Sequence, residues 1–550
     1  MLHSNPTVEA RLTIRAKQAR KDMPTPRNGE RPVDFADRVG EMHVVTRPNK
    51  QRKELGLFLT PVVVADFMAS QITTRKRAMR VLDPAAGAGV LCCAAIEALV
   101  ARNRNPQNIE VVAFEIDKGL IAPLQAVLNY LSGWCEKHHR VTVNARVESE
   151  DFVLRHAQAL RPQELFPARR AAEPFDVIIA NPPYFKIGKD DPRAIAMSDV
   201  VHGQPNIYSL FMAAGATMLR QHGDFVFITP RSFVSGPYFR RFREAFFKMI
   251  RPTGVHVFDC RRCAFRRDAV LQENVILLGT REDGWLGNGV DAHLKISSSR
   301  GTEDIGAARM RDVPLRTALE SGSKDMILRL PAGKEAENVL DLIDSWPSSL
   351  SDQGLRVSTG PVVPFRASEF VASNGSVPTS HAPLLWMSHV RPMQARWPID
   401  RHKPEYIARS GAERLLVPNR NYVLMRRFSA KEEQRRLTAA PYIASKLATP
   451  DIGLENHLNY IHRPRGELSV DEAWGLAALF SSQLLDTWFR TINGNTQVSA
   501  TELRAMRLPA HEAIVSLGRR IRAMRDPVDS ADGLVTRMFI QSKRRTATVG

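Results

Sequence analysis

From residue 49 to about residue 300 the chain alternates short apolar runs with helical stretches, and that alternation constrains its fold most. Residues 80–82, 111–114, 141–145, 177–180, 225–229, 255–258 and 275–279 read as strands. Residues 207–219 and 238–250 read as helices. A strand followed by a helix and another strand cannot close a tight hairpin; the crossover lays the helix on a sheet face. The expected fold class is α/β, a doubly wound Rossmann-like domain. In the second helix Phe239, Phe242, Phe246 and Phe247 recur at helical spacing, read as packing rather than as a platform for stacking.

The first strand of the series runs into a turn with a chemical meaning. Residues 81–90 read Val-Leu-Asp-Pro-Ala-Ala-Gly-Ala-Gly-Val, and an apolar helical run follows. Gly87 and Gly89 let the backbone approach a ligand closely. The next strand ends at Glu115, with Asp117 two residues on. An acid at that place in a doubly wound sheet binds ribose hydroxyls. No further glycine and no Walker lysine follow Gly89, which argues against a phosphate cradle. The ligand expected here is a nucleoside without phosphates, such as S-adenosylmethionine.

A second motif closes the strand at 175–179: Ala180-Asn181-Pro182-Pro183-Tyr184-Phe185. Asn181 offers an amide oxygen as acceptor, and Pro182, with fixed φ and no N–H, holds its carbonyl rigidly as another. Tyr184 sets a flat ring beside them. Two acceptors and a ring suit an exocyclic amino group on a planar heterocycle. Such a nitrogen is a poor nucleophile because its lone pair is delocalised; acceptors on its N–H bonds favour the tetrahedral, localised form. The plain alternative is a strand end followed by a proline turn.

The net charge of +19 points to a polyanionic partner, nucleic acid first, against the alternative of simple solubility. No apolar run is long enough to span a bilayer. The cysteines, Cys92, Cys93, Cys135, Cys260 and Cys263, form no disulfide framework. Cys260-x-x-Cys263 lies near His256, but no second pair completes a zinc site, so no metal is expected. Residues 1–48 read as a mobile basic arm or an extra helix over the catalytic domain. Residues 49–305 read as that domain, with a linker near 296–306, and 306–550 as an α+β region dense in arginine. There Arg420, Arg426 and Arg427 cluster with Asn419, Asn421 and Tyr422, a set suited to phosphate clamping and base edges. A solvated basic surface is the alternative.

Taken together, these motifs resemble the gamma-class adenine-N6 DNA methyltransferases of type II restriction–modification systems, with their TaqI-like order and NPPY core. The resemblance is specific from about residue 50 to 280. It implies that Thr60, in Leu55–Pro61, contacts the methionine part of S-adenosylmethionine. It assigns Asp83, Ala85, Gly87 and Gly89 to the cofactor loop and Glu115 to the ribose. Asp151 and Phe152 would hold the cofactor adenine, although Glu150 stands where the family carries a small residue. Asn181, Pro182 and Tyr184 would be catalytic, and Phe265 a second ring against a base flipped out of the duplex. Residues 306–550 would be the target-recognition domain, with Arg420, Arg426 and Arg427 on DNA. The resemblance further implies a monomer on double-stranded DNA in a bacterial cytoplasm, alongside a cognate restriction endonuclease. Two rivals share parts of this pattern: RNA or protein-glutamine methyltransferases with NPPY, and a catalytically inactive DNA-binding specificity protein.

Overall fold

The computed structural model describes residues 24–45, 59–102, 106–157, 173–201, 203–259, 273–288, 292–373, 379–399, 403–494 and 496–541. The chain divides into two compact units, one ending at Leu328 and one beginning at Arg329.

The first unit is built on a nine-stranded sheet. Its strands are β1 (Ala78–Asp83), β2 (Asn108–Phe114), β3 (Thr142–Glu148), β4 (Phe175–Ala180), β5 (Leu219–Pro230), β6 (Ile250–Phe258), β7 (Asn274–Arg281), β8 (His293–Ser299) and β9 (Arg311–Pro314). Their spatial order is β3-β2-β1-β4-β5-β7-β6-β8-β9. The strands β1 to β5 run parallel, while β7 is antiparallel to both β5 and β6. All seven expected strands are present, and the sheet is mixed α/β. The order reverses between β1 and β4, the switch point at which ligands bind in such sheets. All six residues of β4 are buried, as a strand covered on both faces requires.

Four helices matter for the site: α1 (Pro32–Val45), α2 (Val62–Ser70), α3 (Val90–Arg102) and α4 (Lys118–His139). Helix α1 answers one open point, since it is the extra helix and part of the core. Val33, Phe35, Ala36 and Val39 are buried with residues of α3 and α4. Its entry is pinned where Val33 N–H donates to Glu97 at 2.8 Å and Arg31 pairs with the same carboxylate. In the helix Arg240–Met249, Phe242, Phe246 and Phe247 are fully buried, so that aromatic stripe is core.

The linker expected near 296–306 is instead strand β8 and its turn. Leu294 and Ile296 are buried, and β8 pairs in parallel with β6. The serines misled because they look like solvated linker residues. Ser297 and Ser299 are buried, each 2.9 Å from a ring nitrogen of His256. Burial holds that imidazole near a pKa of about 4, so it is a neutral core group. The first unit also runs beyond residue 305. Buried Arg243 donates to the Asp325 carbonyl at 2.6 Å, and Leu328 N–H to the Val234 carbonyl at 3.0 Å.

The second unit holds a four-stranded sheet and a five-stranded sheet. The first contains Arg356–Thr359, Leu458–His462, Tyr422–Arg426 and Ala439–Tyr442; the helices Val470–Phe480, Gln483–Ile492 and His511–Arg522 follow in the chain. Among the described residues no helix is long and apolar enough to cross a membrane.

Candidate active site

Over the switch point lies a cavity of about 670 Å³. The size suits a small-molecule ligand. Its walls bring together Ala85 and Gly87 from the turn after β1, Glu115 after β2, Asp151 and Phe152, and Asn181 after β4. These come from four places in the sequence, which the motifs alone had grouped together.

The glycine turn is shaped from beneath. Gly87 has φ +56°, and a side chain there would meet nothing within 4 Å. Its N–H donates to Glu115 at 2.9 Å, and Asp117 N–H donates to the same carboxylate at 2.7 Å. Burial nonetheless raises the Glu115 pKa above the usual range. Gly89, at φ +91°, faces Leu124 of α4 and not the cavity. Asp83 is also behind the wall: fully buried, it accepts from Ala85 N–H at 3.1 Å. Burial pushes its pKa up to about 7, with the Glu115 charge adding. Asp83 and Gly89 therefore shape the loop, whereas Ala85, Gly87 and Glu115 line the cavity.

On the far side, Asp151 caps a short helix by accepting from Leu154 N–H at 2.9 Å. Phe152 stacks on Phe211 at 5.6 Å and meets Phe114 edge-on at 5.2 Å. These rings form an aromatic wall of the cavity. Sequence reasoning missed Phe114, Phe211, Phe185, Arg193 and the contribution of α1, whose Gly40, His43 and Val44 close one side. His43 lies 2.9 Å from Asp117. A helix-period signal in 32–45 was the one available clue to α1.

Asn181 is held at both ends of its amide. Its Nδ2 donates to the Thr60 hydroxyl at 2.9 Å, and its Oδ1 accepts from the Tyr184 hydroxyl. The Tyr184 proton is shared with the Ile228 carbonyl at 2.9 Å. Burial raises the Tyr184 pKa well above that of a free phenol, so the donor keeps its proton. The sequence reading gave Tyr184 a stacking ring and Thr60 a contact to the methionine part. In the structure Tyr184 is 6% exposed and its ring packs edge-on against Tyr208, while the next residue, Phe185, lines the cavity. Pro182 is buried, and among the described residues no donor is spent on its carbonyl. Phe265 lies outside the described residues.

The arginine cluster of the second unit is wired internally. Arg426 donates to the Val390 carbonyl at 2.7 Å, and burial lowers its pKa. Arg427 donates to the Asn456 carbonyl at 2.8 Å. Asn419 spends its amide on three backbone carbonyls and the Tyr442 hydroxyl. Tyr422 is buried. Only Arg420 of the three arginines is exposed, with one bond to the Gly466 carbonyl. Part of the bonding capacity of this cluster is thus spent on the backbone of its own unit. Among the described residues no group of side chains has metal-ligand geometry.

Comparison with known proteins gives the family. Residues 66–261 match the family model described as Eco57I restriction-modification methylase. The chain is 31% identical to the type II methyltransferase M.PstI of Providencia stuartii, over 88% of this chain and 93% of that protein. It is 33% identical to the type II methyltransferase M.BsuBI of Bacillus subtilis, over 86% of this chain and 90% of that one. The fold resembles that of the type IIL restriction–modification enzyme MmeI, solved in complex with DNA (TM-score 0.53, 10% identity, 93% of this chain and 79% of that one). The chain belongs to the type II methyltransferases, the DNA-methylating enzymes of restriction–modification systems. The cofactor of such an enzyme is S-adenosylmethionine, and the cavity fits it: an open glycine turn, a buried acid and an aromatic wall.

Proposed function

We propose that the protein methylates the N6 amino group of a specific adenine in double-stranded DNA. The observation that carries this is the clamped amide of Asn181 beside the cavity, followed in the chain by the Pro182 carbonyl, which accepts no hydrogen bond among the described residues. When bound, S-adenosylmethionine supplies an electrophilic methyl group. Glu115 holds the ribose, Phe152 lies against the cofactor adenine, and Gly87 gives the ligand room. An amide oxygen has two lone pairs, so Asn181 can accept from Tyr184 and from an amino hydrogen at once. The Pro182 carbonyl takes the other hydrogen. Together they draw the amino lone pair out of the purine, and the main catalytic contribution is positioning. A base inside a duplex cannot reach this place, so the adenine is flipped out.

The second unit supplies target recognition in this reading, with exposed arginines such as Arg420 on phosphates. Arg426 and Arg427 support the sheet that presents them. The enzyme works as a cytoplasmic monomer and protects sites that a cognate endonuclease cuts. Mass spectrometry of nucleosides from DNA treated with the protein tests the reaction. N6-methyladenine is expected, and its loss on Asn181→Ala by roughly 100-fold in kcat with cofactor affinity kept. N4-methylcytosine as the sole product overturns the base assignment.

A further inference from the structure

The cavity accounts for the methyl donor, and its walls run over the ends of β2, β1 and β4. A base presented to Asn181 has to lie on the other side of that residue, where the sheet continues through β5 to β7. Of the buried polar side chains at that edge, Asn274 has both atoms of its amide without a hydrogen-bond partner among the described residues. Asn274 opens β7 and pairs with Pro230, the last residue of β5. Because β7 is antiparallel, its first residue lies at the same sheet edge as the carboxyl ends of β4 and β5. Strand alternation puts Asn274 on the face of Ile276, in the core that contains Ile228 and residues of α2. Thr60, the partner of Asn181, stands two residues before that helix.

Asn274 is 1% exposed, yet neither its Nδ2 nor its Oδ1 has a hydrogen-bond partner among the described residues. Folded chains rarely leave a whole amide in that state, because each unmet group carries its full desolvation cost. Two strand spacings separate β4 from β7, roughly 10 Å. Side chains extended toward each other from strand ends that far apart can meet the same edge of one base.

We propose that Asn274 reads the target base, its amide N–H donating to a ring nitrogen of the adenine whose amino group is held at Asn181. The inference rests on the adenine-N6 reading. Adenine flanks its amino group with two bare acceptors, N1 and N7. Cytosine has an acceptor on one side of its amino group and a C–H on the other. An N–H donor facing the N7 side selects adenine; one facing the N1 side fixes its orientation.

The test uses the full chain and duplexes carrying its methylation site, located by modified-base sequencing. The target adenine is replaced in turn by 7-deazaadenine and 1-deazaadenine, and single-turnover methylation is measured for wild type and Asn274→Leu. Cofactor affinity by calorimetry serves as the folding control. If that control fails, Asn274→Asp, which keeps the shape and loses the N–H, replaces the leucine variant. The expected result is methylation of adenine about 10- to 100-fold slower in the variant, the range of one lost base contact. One of the two analogues is expected to slow the wild type by a similar factor and the variant no further. A variant at wild-type rate, or an analogue penalty of equal size in both proteins, overturns the assignment and leaves Asn274 a hydrated core amide. A wild type that methylates some other group removes the adenine reading and this subsite with it.

Discussion

Replacing Tyr184 by phenylalanine separates the structure from the motif most sharply. If the residue only supplied a ring, the variant would keep nearly full activity. In the structure its hydroxyl decides which way the Asn181 amide points. The Thr60 hydroxyl at the other end can donate or accept, so it tolerates either orientation. Tyr184 demands an oxygen, because its hydroxyl donates to Asn181 Oδ1 and to the Ile228 carbonyl. A neutral hydrogen bond contributes about 0.5–1.5 kcal/mol net, roughly 2- to 13-fold in rate if lost only in the transition state. Loosening a reacting group adds to that, so Tyr184→Phe is expected to lower kcat roughly 10-fold with KM for cofactor unchanged. The diagnostic assay is a double-mutant cycle with Asn181→Ala. In that background Tyr184→Phe should cost nothing further, since groups acting through one amide do not add. A single variant within twofold of wild type, or a full additional loss in the cycle, refutes the clamp.

Three further outcomes are expected. Glu115→Ala should weaken S-adenosylmethionine binding about 10- to 100-fold by calorimetry, from lost charge-assisted bonds and a loosened Gly87 turn; unchanged affinity would place the ribose elsewhere. Asp83 has a folded pKa of about 7 against 3.8 for a free carboxyl, so between those values the folded state holds a proton the unfolded chain lacks. Its contribution is full below pH 4 and is lost as pH rises through 7, on the order of a few kcal/mol; Asp83→Asn should remove that slope when urea stabilities at pH 5 and 8 are compared. Arg426→Ala should cost about 1–3 kcal/mol of stability with the salt dependence of DNA binding unchanged, whereas exposed Arg420→Ala should lower the salt slope by about one unit and leave stability alone. The reverse pattern would restore the reading of Arg426 as a DNA contact.

What the sequence determined by itself was local. Period-two and helical apolar patterns marked all seven expected strands, because backbone pairing and burial act on consecutive residues. The glycine turn, the acid after β2 and the prolines that stop β4 were visible for the same reason. Tertiary structure decided which partner each polar side chain takes. Thr60 and Asn181 are 121 residues apart in the chain and share a hydrogen bond. The buried serines of β8 looked like linker until His256 came to face them. Arg426 and Arg427 stood in the sequence as a bare basic cluster, and the fold gives each a backbone carbonyl of its own unit as partner. Helix α1 became a wall of the cavity only by packing on α3 and α4. A hydroxyl, an amide or a guanidinium has the same bonding capacity wherever it stands, and only the packed chain brings up the group that spends it or, at Asn274, brings up none.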